Sequence, residues 1–91
     1  MTSLVIYSRP GCHLCEEMKK VVELVARSIP LALQEIDIST DPVLDARYSL
    51  EIPVLIVDGK RAAKYRVTAE ELMRVLLARA GGPGGAGGRG G

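Results

Sequence analysis

The fold of this chain is decided by residues 4–15, which read LVIYSRPGCHLC. Leu4–Ser8 is short and mostly apolar, with two β-branched residues, which is typical of a buried strand. Pro10 and Gly11 should end this strand, because proline has no N–H for a ladder and glycine permits unusual backbone angles. A helical repeat begins at about Cys12. We therefore predict a strand, a tight loop and a helix, with a Cys-x-x-Cys pair where the loop becomes the helix.

The helix predicted from about Cys12 has one apolar face. Charged residues separate its apolar positions, which is the pattern of an amphipathic helix. Pro30 marks the expected end of this helix, because proline disrupts the helical hydrogen bonds. The apolar residues recur at steps of three and four and are Cys15, Met18, Val22, Val25 and Ile29.

The middle of the chain predicts a second strand and a second, short helix. Leu31–Ile38 is compatible with a strand, in which alternate residues point to opposite faces. One face would carry Leu31, Leu33, Glu35 and Asp37, and the other Ala32, Gln34, Ile36 and Ile38. Asp41 is a favourable N-cap residue, and Pro42 fits the first position of a helix. The helix that they open should end at about Tyr48.

The last third of the domain predicts a β-hairpin and a closing helix. Val54–Val57 is apolar and mostly β-branched, and it should be a central strand. Asp58-Gly59 is a turn signal, after which Arg61–Arg66 should return as an edge strand. Thr68–Glu71 has the Thr-x-x-Glu pattern of a capping box at the start of a helix. The residues expected on the buried face of that helix are Leu72, Met73, Leu76, Leu77 and Ala80.

The order of these elements, β-α-β-α-β-β-α, predicts an α/β fold. A β-α-β unit followed by a hairpin and a helix gives a mixed four-stranded sheet flanked by helices. We assign this domain to residues 1–80. Residues 81–91 hold eight of the ten glycines of the chain. We expect them to form a disordered glycine-rich tail, because they bury too little surface to offset the entropy of ordering.

The composition excludes several classes of protein. The 91 residues carry 12 basic and 11 acidic side chains, a net charge of +1, and no Phe or Trp. This balance lacks the cations and aromatic rings with which nucleic-acid binders contact phosphates and bases. No uncharged run approaches the ~18 residues of a membrane span, and residues 1–7 lack the basic segment of a signal peptide. We therefore expect a cytoplasmic monomer that binds neither nucleic acid nor membrane.

The Cys-x-x-Cys pair predicts the chemistry. Only a thiolate attacks a disulfide, and the ordinary thiol pKa of ~8.5 leaves few thiolates at neutral pH. The helix N-terminus favours negative charge, so Cys12 should be the more acidic thiol and the nucleophile. Cys15 lies one turn further along, on the apolar face, and should be buried and resolve the mixed disulfide. This pattern predicts a thiol–disulfide oxidoreductase without a metal.

Two alternatives compete with the redox interpretation. A Cys-x-x-Cys pair can be half of a zinc or iron–sulfur site, but the chain offers only His13 besides. Such a scaffold would therefore need ligands from a second chain. The second alternative is a domain that binds other proteins and whose cysteines are inert.

Arg9, His13 and the Ile52-Pro53 pair are further candidates for the site. His13 follows the nucleophile and either tunes the Cys12 thiolate or is a solvated loop residue. Arg9 either adds positive potential or is solvated. Proline is tolerated at the first residue of a strand, and only ~5% of X–Pro bonds are cis. From the residues alone, Pro53 would therefore have a trans peptide bond.

The motif YSRPGCHLC at residues 7–15, together with IPV at residues 52–54, resembles glutaredoxins and the wider thioredoxin superfamily. The resemblance covers about residues 4–80 and implies the same α/β fold. It implies that Pro53 has a cis peptide bond and faces the cysteines, and that the backbone of Ile52 pairs with the substrate. It further implies a disulfide-containing protein or small molecule as substrate, a reductase or thiol as electron donor, and no bound cofactor.

The chain departs from the usual glutaredoxin pattern at two places. His13-Leu14 stands where Pro-Tyr is usual. Residues 62–66 read AAKYR, where glutaredoxins have a glycine pair followed by acidic residues that bind glutathione. The side chains of Ala63 and Lys64 should hinder the approach of glutathione, and the basic Lys64 and Arg66, which replace the acidic residues, should repel its amino group. We therefore expect glutathione to be a poor electron donor and a thioredoxin-reductase-like enzyme to replace it.

Overall fold

Four strands and three α-helices lie within residues 2–81, the part of the chain that the computed structural model describes. The strands are β1 (Thr2–Ser8), β2 (Leu31–Asp37), β3 (Val54–Val57) and β4 (Lys60–Lys64). The helices are α1 (His13–Ala26), α2 (Pro42–Tyr48) and α3 (Ala69–Gly81). Their order is the predicted β-α-β-α-β-β-α. Gly81 is part of α3, and the rest of the predicted tail, residues 82–91, lies outside the described residues.

The strands form one mixed sheet in the order β2-β1-β3-β4. β1 is parallel to β2, which requires the crossover through α1, and antiparallel to β3. β3 and β4 form an antiparallel hairpin. Asp58 and Gly59 join its strands with φ angles of 48° and 84°, as a two-residue hairpin turn requires. The predicted α/β fold is confirmed, with β3 central and β4 at an edge.

The core lies on both faces of the sheet. Successive strand residues point to opposite faces, so Leu55 and Val54 belong to different clusters. The cluster with Val54 includes Tyr48, whose ring stacks on Tyr7 with ring centroids 4.7 Å apart. The larger cluster joins the sheet to α1 and α3 and contains Leu4, Ile6, Met18, Val22, Val25, Leu55, Val57, Leu72 and Leu76.

α1 ends earlier than the position of Pro30 predicted. Its last residue is Ala26, after which the N–H groups of Ser28 and Ile29 both donate to the carbonyl of Val25, at 2.9 and 3.0 Å. α1 has 14 residues, fewer than the ~20 that a bilayer requires. Among residues 2–81, no helix combines the length and the apolar character needed to cross a membrane.

The ends of β2 and β4 also differ from the predicted ends. β2 ends at Asp37 and not at Ile38, because a 3₁₀ helix follows and the Asp37 side chain caps it. Hydrogen bonds from the serine in this 3₁₀ helix lower the pKa of Asp37. β4 ends at Lys64 and not at Arg66, because the backbone turns away at Tyr65 with a φ of 68°.

The capping box predicted at the start of α3 is confirmed. The Thr68 hydroxyl accepts the N–H of Glu71 at 3.0 Å, and the Glu71 carboxylate accepts the N–H of Thr68 at 2.9 Å. Leu72 and Leu76 are buried as predicted, but Leu77 is 62% exposed. The prediction for Leu77 is wrong because α3 is rotated so that Leu72 and Leu76 pack in the core, and Leu77, ~100° further around the helix than Leu76, is turned away from it.

The N-cap of α2 allows a test of this local structure. The Asp41 carboxylate accepts the N–H groups of Val43 and Leu44, at 2.9 and 3.3 Å. Asp41→Ala should lower the free energy of unfolding by about 1 kcal/mol, because both N–H groups lose their acceptor. Asp41→Asn keeps an accepting oxygen and should change it much less. Urea unfolding measures both variants, and equal losses would contradict the capping role.

Candidate active site

A tight turn joins β1 to α1 and presents the first cysteine. The N–H of Cys12 donates to the carbonyl of Arg9 at 3.1 Å, and Gly11 has a φ of 80°. Pro10 in the second position and Gly11 in the third are typical of a type II β-turn. A Cβ added at Gly11 would meet no atom within 4 Å. Glycine is therefore required here by the left-handed backbone and not by a lack of space.

Cys12 and Cys15 form a disulfide bridge, with their Cα atoms 5.2 Å apart. Cys12 is the N-cap residue of α1, and its Sγ accepts the N–H of Cys15 at 3.1 Å. Cys15 is 1% exposed, whereas Cys12 is partly exposed. The predicted burial of Cys15 is therefore confirmed, and Cys12 is the more accessible cysteine of the pair.

The peptide bond between Ile52 and Pro53 is cis, as the resemblance implied. Pro53 is buried and Ile52 is half-buried. The N–H groups of Glu51 and Ile52 donate to the carbonyl of Tyr48 at 2.8 and 3.1 Å. The segment before β3 is thereby attached to the end of α2.

The sheet brings the cysteines and the cis-proline to the same end of its two inner strands, β1 and β3. β1 pairs with β3 in antiparallel register, with Tyr7 opposite Val54. The turn that follows β1 and the segment that precedes β3 therefore lie at the same end of the sheet. The residues predicted for catalysis and for substrate binding are gathered there: Cys12, Cys15, Ile52 and Pro53.

Arg9 connects the turn to α2. Its guanidinium forms a hydrogen bond and ion pair with Asp45 of α2. Its Nε is buried and has no hydrogen-bond partner among the described residues. Its charge also contributes to the lowered pKa of Asp37, after the larger effect of the hydrogen bonds from Ser39. The contacts of Arg9 are thus with acidic groups, and its effect on Cys12 stays a prediction.

His13 is at the surface, on the first turn of α1. Its side chain is 86% exposed, and its Nε2 lies 3.6 Å from a carboxylate oxygen of Glu17. The structure therefore places His13 beside an acidic residue one turn along the helix. A tuning effect of His13 on Cys12 stays a prediction.

A groove of about 340 Å³ lies between α1 and the segment that leads into α3. It borders the dithiol, because Leu14, between the two cysteines, is part of its wall. Of the residues that the sequence predicts for this surface, Arg66 lines the groove, whereas Ala63 and Lys64 do not. Tyr65 lines the groove as well. The groove also has two acidic residues that the sequence does not predict, because they are far apart in the chain: Glu17 and Glu71.

Tyr65 has an unusual backbone conformation beside this groove. Its φ is 68°, and the N–H of Arg66 donates to the carbonyl of Lys64 at 2.8 Å, which makes Tyr65 the centre of a strained γ-turn. The N–H of Tyr65 donates to the carbonyl of Pro53, and its hydroxyl donates to the carbonyl of Leu50, both at 2.8 Å. The sequence signal for this turn is indirect: Tyr65 follows the edge strand where glutaredoxins have a glycine pair.

A polar network connects β1, β2 and α1. The buried Ser8 hydroxyl donates to Glu35 of β2 at 2.9 Å, and the Lys19 ammonium group of α1 lies 3.1 Å from the same carboxylate. The hydrogen bond to Glu35 raises the pKa of Lys19. This network fixes α1 against the sheet immediately beyond the cysteines.

Metal-ligating side chains are dispersed in the described part of the chain. Within residues 2–81, no three His, Cys, Asp or Glu side chains cluster closely enough to hold a metal ion. The alternative of a metal or iron–sulfur scaffold therefore requires ligands from beyond these residues.

The parallel β-α-β unit, the following hairpin, the dithiol at the start of α1 and the cis-proline before β3 define a thioredoxin-fold protein. The chain belongs more narrowly to the family of the Glutaredoxin-like domain (DUF836), whose family model matches residues 3–77. A search of the curated proteins finds no match.

Solved structures support this assignment. The chain is 31% identical to the structural genomics target protein XcR50 from X. campestris, with a TM-score of 0.70, over 82% of this chain and 96% of that one. It is 29% identical to protein Ne2328 from Nitrosomonas europaea, with a TM-score of 0.71, over 81% of this chain and 89% of that one. Chloroplastic thioredoxin z, at 20% identity and a TM-score of 0.71 over 89% and 80% of the two chains, shares the fold.

The positive φ of Tyr65 predicts that a glycine substitution is less destabilising than an alanine substitution at this position, which is the reverse of the usual order. Tyr65→Ala keeps the left-handed strain and loses the hydroxyl bond, whereas Tyr65→Gly loses the bond but relieves the strain. The glycine variant should therefore be more stable than the alanine variant by about 1 kcal/mol. Urea unfolding of the pair measures this difference, and a more stable alanine variant would contradict the strained turn.

Proposed function

We propose that this protein is a thiol–disulfide oxidoreductase that reduces disulfides of proteins or small molecules. The observation that carries the proposal is the unequal placement of the two cysteines. Cys12 is partly exposed at the N-cap of α1, whereas Cys15 is buried one turn further along. A dithiol that acts in two steps needs an accessible thiol for the first and a protected thiol for the second.

In the first step, the reduced Cys12 thiolate attacks one sulfur of a substrate disulfide. A bond forms between Cys12 Sγ and that sulfur, the substrate S–S bond breaks, and the other substrate sulfur leaves as a thiolate that takes up a proton. The Cys15 N–H that reaches Cys12 Sγ at 3.1 Å, together with the start of α1, stabilises the negative charge on Cys12.

In the second step, the Cys15 thiol loses its proton and attacks Cys12 Sγ. The mixed disulfide breaks, and the second substrate sulfur leaves as a thiolate and is protonated. Two electrons have then passed from the dithiol to the substrate, and the Cys12–Cys15 disulfide is the product form. In this form the two Cα atoms are 5.2 Å apart, which is within the usual range for a disulfide.

The segment before β3 is proposed to bind the substrate chain beside the reacting sulfurs. The N–H of Ile52 is already used in a hydrogen bond to Tyr48. We therefore assign the carbonyl of Ile52 as the group that accepts an N–H from the substrate, with Pro53 fixing its direction. Arg9 and His13 are proposed to adjust the charge around Cys12 from the turn and from the first turn of α1.

The electron supply follows from the same chemistry. The protein needs no bound cofactor, because the two thiols supply both electrons. A monomer is sufficient, because both thiols lie in one chain. A reductase or a thiol must return two electrons to the Cys12–Cys15 disulfide after each turnover. A reducing compartment such as the cytoplasm favours that return. We propose a thioredoxin-reductase-like enzyme as this donor. Tyr65 and Arg66 line the groove beside the dithiol, and they belong to the stretch where glutaredoxins, by resemblance, carry the glycine pair and acidic residues that bind glutathione.

Serine variants test the two cysteine roles. Cys12→Ser should abolish disulfide reduction and form no adduct, because the remaining thiol is buried. Cys15→Ser should accumulate a mixed disulfide between Cys12 and the substrate, because no thiol resolves it. Mass spectrometry of each variant after mixing with a disulfide-linked peptide measures the adduct. Equal adducts in both variants would contradict the assignment, and an inert Cys12 would favour the protein-binding alternative.

A comparison of donors tests the proposal about glutathione. Reduction of the oxidised protein by glutathione and glutathione reductase should be slow beside reduction by NADPH and thioredoxin reductase. Compared with a glutaredoxin, the site loses the acidic partner of the glutathione amino group and gains a like charge at Arg66. Together these changes should weaken glutathione binding by about 2–3 kcal/mol, or roughly a hundredfold. Arg66→Asp should speed the glutathione reaction, whereas Arg74→Asp, on α3 outside the groove lining, should not. Efficient turnover with glutathione alone would refute this proposal.

A further inference from the structure

Tyr65 joins the groove to the segment that carries Ile52. Its side chain lines the groove beside α1. Its hydroxyl donates to the carbonyl of Leu50 and its N–H donates to the carbonyl of Pro53, both at 2.8 Å. A single residue therefore holds residues 50–53 at both ends of the segment.

Other hydrogen bonds hold Glu51 and Ile52, the two residues in the middle of this segment. The guanidinium of Arg61, on β4, bonds the carboxylate of Glu51. On the opposite side, the N–H groups of Glu51 and Ile52 bond the carbonyl of Tyr48 at the end of α2. Tyr65 supplies the hydrogen bonds that reach the segment on either side of these two residues. The Tyr65 bonds to Leu50 and Pro53 thus flank the residue whose carbonyl is proposed to bind the substrate.

The strained backbone of Tyr65 supports a functional reason for this residue. Glycine would adopt its φ of 68° without strain. Glycine would supply the N–H bond to Pro53 but not the bond to Leu50, which needs a long side chain that ends in a donor. Strained conformations persist where the surrounding contacts determine them, and they concentrate at functional sites.

We infer that Tyr65 is a positioning residue, which holds residues 50–53 so that the Ile52 carbonyl is directed at the substrate backbone. This inference rests on the proposed disulfide reductase function and assigns a residue to its substrate binding. Tyr65 does not touch the reacting sulfurs in this role. Its loss should therefore weaken the binding of substrates that have a peptide backbone and leave the chemistry at Cys12 unchanged.

Tyr65→Phe tests the inference, because it removes the hydroxyl and keeps the ring. The ring is 42% exposed, so the change spares the core. Tyr7→Phe is the matched control, because the Tyr7 hydroxyl has no hydrogen bond among the described residues. The reduced proteins are mixed in single turnover with a fluorescent disulfide-linked peptide pair, and separately with 5,5′-dithiobis(2-nitrobenzoate), which has no peptide backbone. Amide hydrogen exchange at Glu51 and Ile52 is measured on the same proteins.

For Tyr65→Phe we expect the half-saturating peptide concentration to rise about fivefold, which corresponds to one hydrogen bond, with an unchanged limiting rate. The rate with the aromatic disulfide should be unchanged, and the Glu51 and Ile52 amides should exchange faster. Wild-type values in Tyr65→Phe, or equal slowing with both disulfides, would overturn the inference. If the wild-type protein reduces neither disulfide, the proposed function fails. Unchanged amide exchange would then independently show that Tyr65 does not hold the segment.

Discussion

The antiparallel pairing of β1 with β3 is the interaction on which the candidate site depends. It places the end of β1, and so Cys12, at the end of the sheet where Pro53 precedes β3. Register errors are strongly disfavoured, because a slip by one residue would exchange the faces of Val54 and Leu55. Both side chains are fully buried in separate clusters, so either exchange would disrupt a core. The apolar core therefore fixes the geometry of the site.

The same helix gives its two cysteines different environments. Cys12 is outside the first turn of α1, where the backbone N–H groups have no helical partner, and one of them reaches its sulfur. Cys15 is on the face that packs into the core with Met18 and Val22. Any helix with a buried face and an open N-terminus would distinguish a Cys-x-x-Cys pair in this way. The different exposure of the two cysteines thus follows from the amphipathic pattern of α1.

Much of the fold could be predicted because its signals are local. Pro10 and Gly11 specify a turn, and Asp41 and Thr68 specify helix starts, through bonds that span three residues or fewer. The acids of the groove could not be predicted, since Glu17 and Glu71 belong to different helices. The exposure of Leu77 could not be predicted either, because it depends on how α3 is rotated against the sheet. The cis bond at Pro53 was predictable only by resemblance, since local propensity favours trans.

Tyr65 shows why a contact from a distant segment can override a local rule. A left-handed backbone costs a non-glycine residue about 1–2 kcal/mol, so the sequence gives no reason to expect one at a tyrosine. Hydrogen bonds contribute about 1 kcal/mol each, and Tyr65 makes two of them to residues 50–53. These bonds offset the strain only if the segment before the cis-proline is already in place. The turn at Tyr65 and the segment before the cis-proline therefore stabilise one another.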